Sequence, residues 1–330
     1  MKAWQITGLG QPAILTDLPS PVPGPGQVLV QVAAAGLNFA DLLMAEGRYQ
    51  NRPTLPFIPG MEMSGTVSAL GPGLSADTRS LLAPGTRVIG VCGTGAFAEQ
   101  VCIDATLLTP IPDRMPFADA AAMQIAYGTA HLALTHKARL HPGETLFVTG
   151  AAGGVGLAAV AIGKHLGARV IASARGSDKL AVAEAAGADV LIDSDSPGLK
   201  DALRSHGGVD VVFDAVGGPA FDEALRATRP DGRLLVIGFA SGVVPQVPAN
   251  LLLVKNLTVT GFWYGGYQTE APRLVSDSMA SLLSWIAGGL LRPPAPSVLP
   301  FAQLPQGLAL LRDRAVTGKV VIALDQAAPT

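Results

Sequence analysis

The sequence predicts an α/β protein of two domains, one irregular and β-rich, the other a doubly wound parallel sheet. Three observations carry this. The chain has 330 residues, more than one hydrophobic core usually serves. Its first third is strand-rich and punctuated by Pro and Gly. From Glu144 onward short β-branched runs alternate with helical ones, the pattern of parallel strands joined by crossovers.

In the first third, Met1–Ile6 reads as a strand, and Val28–Ala34 is an apolar strand launched from Pro23-Gly24-Pro25-Gly26. Gly65–Leu70, Val88–Val91 and Phe97–Ile103 follow as strands, while Gly71–Gly85 mixes Pro, Gly, Ser and charges and reads as an exposed loop. The texture changes at Ile111–Pro116. Phe117–His136 is an Ala-rich helical stretch, expected to break near Tyr127-Gly128. Then strands (Thr145–Thr149, Arg169–Ser173, Val190–Asp193, Val209–Asp214, Leu234–Gly238) alternate with helices (Val155–Leu166, Asp178–Ala186, Leu199–Arg204, Phe221–Ala227). Leu257–Phe262 adds a strand, Leu274–Ala287 a helix, Pro293–Pro300 a connector and Lys319–Leu324 a last strand. The tail is taken to rejoin the first domain, giving 1–124 with 264–330 as one domain and 125–263 as the other.

Composition narrows the classes. Hydrophobic residues are 49% and charged ones 15%, which suits a buried globular core and excludes a dominant disordered tail. A net charge of −2 gives nucleic acid and acidic membranes no attraction. Cys92 and Cys102 are the only cysteines; they cannot build a disulfide framework and are read as small core residues in strands. The N-terminus reads as a strand rather than a signal peptide, and the most apolar run, Leu251–Val254, is far too short for a bilayer. A cytoplasmic protein is expected.

Leu146-Phe147-Val148-Thr149-Gly150-Ala151-Ala152-Gly153-Gly154-Val155-Gly156 runs strand, glycine turn, helix. Glycines let the backbone approach a pyrophosphate, and the first helical N–H groups supply donors and a partial positive charge. The strict G-x-G-x-x-G pattern is broken by Ala151, so the signal rests on context: a strand before, a helix after, a β-α-β-α series beyond. A ligand-free turn and a methyltransferase-type domain are the alternatives. Ala152, Gly153, Gly154, Val155 and Gly156 are the candidate dinucleotide contacts. An acid normally ends the second strand to accept ribose hydroxyls. Here Ser173 and Ala174 stand there, then Arg175 and, a turn later, Lys179; Asp178 fits better as an early helix residue. A guanidinium and an ammonium suit a 2′-phosphate, which favours NADPH, unless both are ordinary surface charges.

These residues, together with Gly36–Asp41, Gly47-Arg48-Tyr49, Pro59–Gly65 (P-G-M-E-M-S-G), Gly95–Glu99, Tyr127–Ala130 and Gly318-Lys319, resemble the medium-chain dehydrogenase/reductase superfamily along essentially the whole chain. The resemblance is to its zinc-independent, zeta-crystallin-like quinone oxidoreductases. It implies a GroES-like β-domain, a Rossmann domain, an active-site cleft between them and commonly a homodimer. Zinc-dependent relatives place a cysteine near Asn38, a histidine at Met61 and another cysteine before the Rossmann turn; this chain has none of these, and lacks the four-cysteine lobe. His131, His136 and His141 recur at fives, off one helical face, and read as surface and loop residues rather than ligands.

Without a Lewis acid, charge on the acceptor oxygen needs hydrogen-bond donors, a proton source or an electron-poor acceptor, so a quinone or activated enone is the expected substrate. An alkene or enoyl reductase, and a non-catalytic NADPH-binding sensor, are the alternatives. The resemblance places Asn38, Asp41, Tyr49 and Tyr127 near the cleft. Tyr49 would donate to the substrate oxygen, or simply cap its loop; Asn38 would orient substrate or nicotinamide ribose; Asp41 is equally readable as a first-turn helix acid. Thr129 would contact the nicotinamide side, with Phe239, Phe262 and Trp263 walling the pocket, although Trp263 also suits interface packing. Lys319 joins the cofactor set on the resemblance.

Overall fold

The computed structural model describes residues 1–324 and divides into two units. The first comprises Met1–Ile125, Gln268–Ala280 and the chain from Ala295 on. Its centre is a seven-stranded sheet ordered Ser297–Pro300, Val320–Ala323, Gln27–Gly36, Glu62–Leu70, Arg87–Val91, Leu108–Pro110, with Gln100–Asp104 also paired to Gln27–Gly36. All pairings are antiparallel except Ser297–Pro300 with Val320–Ala323. Along residues 27–32 burial alternates, with Val28, Val30 and Val32 inward, as the two-residue strand period requires. A register shift between Val32 and Ala34 then turns the small residues 33–36 to full burial. Only glycine fits at the end of this strand: a Cβ on Gly36 would lie 2.4 Å from the Ala121 carbonyl and 2.6 Å from Glu62 Oε1.

The second unit comprises Ala126–Tyr267 and Ser281–Pro294. Its six strands are all parallel, ordered Val190–Asp193, Arg169–Ala174, Thr145–Thr149, Val209–Asp214, Thr228–Val236, Thr258–Gly261. In chain order that is 3-2-1-4-5-6, so the sheet reverses direction of growth between Thr145–Thr149 and Val209–Asp214, where ligands bind in such sheets. Phe147, Ile171, Val212, Phe221 and Leu234 fill the core on one face.

Several sequence expectations are corrected. Gly71–Gly85 holds a short helix, Ala76–Leu81, whose N-cap Ser75 hydroxyl accepts from the Thr78 N–H at 3.2 Å. The strand expected at Phe97–Ile103 starts only at Gln100. The helical break lies at Ala122-Met123, between Phe117–Ala121 and Gln124–Leu132, and not at Tyr127-Gly128. Gly128 answers a packing demand: a Cβ there would meet the Tyr264 hydroxyl at 2.6 Å. His131 is not at the surface; it is buried, 5.1 Å edge-on to the Trp285 ring, and burial with the nearby His165 lowers its pKa to about 4. Cys92 falls just past its strand, and both cysteines are only half-buried.

Candidate functional site

In the second unit the turn after Thr149 is shaped by glycine. Gly150 has φ +60, and a Cβ on Gly156 would lie 2.2 Å from the Gly150 carbonyl oxygen, so the helix Gly154–His165 can start against the turn only without that carbon. Gly153 is the N-cap and no side chain caps this helix; Gly153, Gly154 and Val155 are half-exposed. Helix N–H groups and the helix dipole therefore face solvent at the reversal of strand order, an anion-binding arrangement.

A buried polar pair holds this edge of the sheet. The Thr149 hydroxyl donates to Asp214 Oδ1 at 2.5 Å and accepts from the Ala215 N–H at 3.0 Å. Asp214 also accepts from the N–H groups of Val216 and Gly217, at 3.2 and 2.9 Å. Burial raises the Asp214 pKa, against the pull of those donors. The first two strands on either side of the reversal are thus tied at their carboxyl ends. The Ala151 N–H donates to the Ser173 carbonyl at 3.0 Å, fastening the turn to the second strand, and the Ser173 side chain is buried.

Beyond Ser173, Arg175 is the N-cap of helix Gly176–Ala185 and is exposed. Its Nε donates to Asp195 Oδ1 at 3.1 Å, which leaves the two terminal nitrogens outside that contact. Lys179 stands one turn into the same helix, half-exposed. Phe262 is buried against Tyr267 with ring centroids 5.2 Å apart, whereas Phe239 and Trp263 are exposed.

In the first unit a polar cluster lies beneath helix Phe39–Ala45. Asp41 Oδ2 accepts from the Asn38 N–H at 2.8 Å, closing the first turn. Asn38 Nδ2 donates to Glu62 Oε1 at 2.8 Å and to the Gly36 carbonyl at 3.3 Å, and Asn38 Oδ1 accepts from Lys319 Nζ at 2.6 Å. Lys319 Nζ also donates to Glu62 Oε1 at 2.5 Å, and Glu62 Oε2 accepts from the Ile125 N–H at 2.8 Å. Glu62 is fully buried. Asp41 is buried too, and its Oδ1 has no hydrogen-bond partner among the described residues. Burial pushes its pKa up to about 7, opposed by the Asn38 N–H and the Lys319 charge. The Cys92 thiol approaches the Gly60 carbonyl at 3.5 Å, and desolvation of the sulfur with the neighbouring Asp41 raises its pKa, which disfavours the thiolate.

Comparison with known proteins matches this architecture unit by unit. Residues 24–113 match the alcohol dehydrogenase GroES-like domain and residues 154–281 the zinc-binding dehydrogenase family. The quinone oxidoreductase-like protein 2 of Mus musculus is 39% identical over 328 residues, covering 98% of this chain and 92% of the mouse protein. The chain belongs to the quinone oxidoreductase family of medium-chain dehydrogenases/reductases. Among solved structures, the quinone oxidoreductase of Thermus thermophilus, also described in complex with NADPH, is 36% identical with a TM-score of 0.85, covering 98% of this chain and 100% of that one. The Escherichia coli quinone oxidoreductase complexed with NADPH is 27% identical with a TM-score of 0.89, covering 98% and 100%.

In this oxidoreductase the residues singled out in the sequence fall into separate groups. Ala152–Gly156, Ser173, Arg175 and Lys179 gather around the glycine turn and the second strand. Asn38, Asp41 and Lys319 gather in the buried cluster. Tyr49 is half-buried and packs on the apolar group of Ile6, Met44, Phe57 and Met61. Tyr127 and Thr129 are buried in helix Gln124–Leu132; burial raises the Tyr127 pKa, and its hydroxyl has no partner among the described residues. The sequence reading passed over Glu62, Thr149 and Asp214. Glu62 had a signal: an acid between Met61 and Met63 at the start of an apolar strand. Thr149 and Asp214 had none beyond their place at strand ends.

Proposed function

We propose that this chain is an NADPH-dependent quinone oxidoreductase that delivers hydride to a quinone or activated enone without zinc. The open helix start at Gly153–Gly156, set at the reversal of strand order, is the observation that carries the reading. Its residues fit a dinucleotide: no side chain blocks the helix N–H groups, and the Gly156 position admits no Cβ. Ala152–Gly156 would hold the pyrophosphate, and Arg175 with Lys179 the 2′-phosphate. Bound there, NADPH supplies the hydride.

The residues present do not fit a catalytic zinc. The Asn38 segment, where zinc-dependent relatives place a cysteine, has none, Met61 stands where they have histidine, and Glu62 is already paired with the Lys319 ammonium. An amide and a thioether are poor zinc donors, and a fixed ammonium opposes a second cation. Charge on the acceptor oxygen then falls to protein donors and to the acceptor's own conjugation. Tyr49 is the proposed donor. Asn38 acts indirectly, because its amide is engaged by Lys319, Glu62 and Gly36.

The comparisons support this reading through a relative named quinone oxidoreductase-like protein 2 and through two quinone oxidoreductase structures described in complex with NADPH. We further propose a homodimer, with Thr258–Gly261 at the open edge of its sheet pairing with a second copy, beside the exposed Leu253 and Val254. Light scattering at micromolar concentration should give twice the chain mass. No helix among the described residues is long and apolar enough to cross a membrane, and the cytoplasm, where thiols such as Cys92 and Cys102 stay reduced, is the proposed location. The deciding assay takes metal-free protein and a simple quinone. NADPH oxidation much faster than NADH oxidation is expected; activity that appears only with added zinc and an alcohol would defeat the proposal.

A further inference from the structure

We propose that Glu62 is a positioning residue of the reductase site, and that turnover depends on the geometry it imposes. The inference rests on the reductase reading above but concerns a residue that reading leaves out.

Three donors converge on this one buried carboxylate: Asn38 Nδ2 and Lys319 Nζ on Oε1, and the Ile125 N–H on Oε2. All three are donors only, so the group they meet must be an acceptor at both atoms. A carboxylate meets that demand and a carboxamide does not: glutamine would turn an NH₂ toward at least one donor and strand it in a buried place. The room for the carboxylate is built in as well, since a Cβ on Gly36 would lie 2.6 Å from Oε1.

Two of the three contacts each fix a helix start. The bond to Nδ2, with Lys319 on Oδ1, sets the orientation of the Asn38 amide. Asn38 is in turn the N-cap of helix Phe39–Ala45, which leads into Tyr49. The bond to Ile125 occupies a first-turn amide of helix Gln124–Leu132, a group that has no partner within its own helix. That helix carries Tyr127 and Thr129. One side chain therefore engages both the N-cap residue of helix Phe39–Ala45 and the first-turn amide of helix Gln124–Leu132, and is placed to act through them rather than on the reacting atoms.

The test uses Glu62→Gln, Asn38→Ala and the double variant, each assayed well below its own Tm. Glu62→Gln is expected to lower kcat at least tenfold while the NADPH dissociation constant stays within threefold. In the Asn38→Ala background the same substitution should cost kcat much less, because the two act through one linkage. If Glu62→Gln folds and keeps the wild-type kcat, or if its effect simply multiplies that of Asn38→Ala, Glu62 is structural only. Amide exchange in the wild-type protein is independent of folding in the variants: Ile125 should be protected, and exchange at the rate of an open first-turn amide would overturn the geometry. A wild-type protein that turns over no quinone with NADPH would instead remove the reductase reading itself.

Discussion

The Lys319 ammonium sits 2.5 Å from the Glu62 carboxylate, a buried pair closed across 257 residues of chain. It ties the last strand region of the first unit to the head of strand Glu62–Leu70. Both side chains are almost wholly out of water, so removing one charge strands the other. Lys319→Met should lower unfolding free energy by about 3–5 kcal/mol, read from denaturant midpoints at an unchanged m-value. A loss below about 1 kcal/mol would mean that the pair behaves as an exposed one.

Asp41 gives the same cluster a pH signature. Its folded pKa of about 7 lies above the ordinary value, because burial outweighs the Asn38 N–H and Lys319. Between about pH 4 and pH 7 the folded state then binds the extra proton. The stability it contributes is full below about pH 4 and is lost as pH rises through 7. Carboxyls whose pKa the fold lowers slope the opposite way. Glu144, for instance, is held low because the hydrogen bonds from Arg233 and the His141 N–H, with nearby charge, outweigh its burial. The difference between wild type and Asp41→Asn isolates the effect. The variant should gain on wild type by on the order of 4 kcal/mol between pH 4 and pH 8. A flat difference across that range would show that Asp41 is ionised throughout.

What the sequence revealed and hid follows from how far each signal reaches. The alternation of strands and helices after Glu144 and the glycines at 150–156 are local, set by side-chain period and by backbone freedom, and were legible. Glu62, Thr149 and Asp214 matter through partners 24 to 257 positions away, and no local pattern tells which donors will face a given carboxylate. Gly128 shows the opposite failure. Its low helix propensity suggested a break, but the Tyr264 hydroxyl needs the space and the surrounding packing outweighs the propensity. The helix Ala76–Leu81 was hidden because turn-forming residues flank six residues that bury nothing.

The glycine turn makes a sharp demand of its own. Gly156→Ala would place a carbon 2.2 Å from the Gly150 carbonyl, a backbone atom that cannot swing aside as a side chain can. The helix start must shift, and with it the N–H groups proposed to meet the pyrophosphate. The NADPH dissociation constant should rise at least tenfold, and stability should fall by about 1–3 kcal/mol, the usual cost of overpacking. Fluorescence titration and thermal melts measure the two separately. Unchanged binding would mean that the nucleotide does not use this turn.

Arg175 decides between the two nicotinamide cofactors. Its guanidinium is exposed and bonded through Nε to Asp195, a pairing between solvated groups and therefore easily exchanged. A 2′-phosphate offers it a dianionic partner and two-point contact through the terminal nitrogens, worth about 1.5–3 kcal/mol per charged hydrogen bond. A 2′-hydroxyl offers nothing comparable. Arg175→Ala should therefore raise the NADPH dissociation constant by roughly 10- to 100-fold, corresponding to those energies, and leave NADH within about twofold. The loss should shrink as salt rises, because the contact is exposed to screening. Arg175→Lys should recover part of the affinity, having the charge without the planar fork. Equal losses for both cofactors would place Arg175 outside the phosphate site and move the discrimination to another residue.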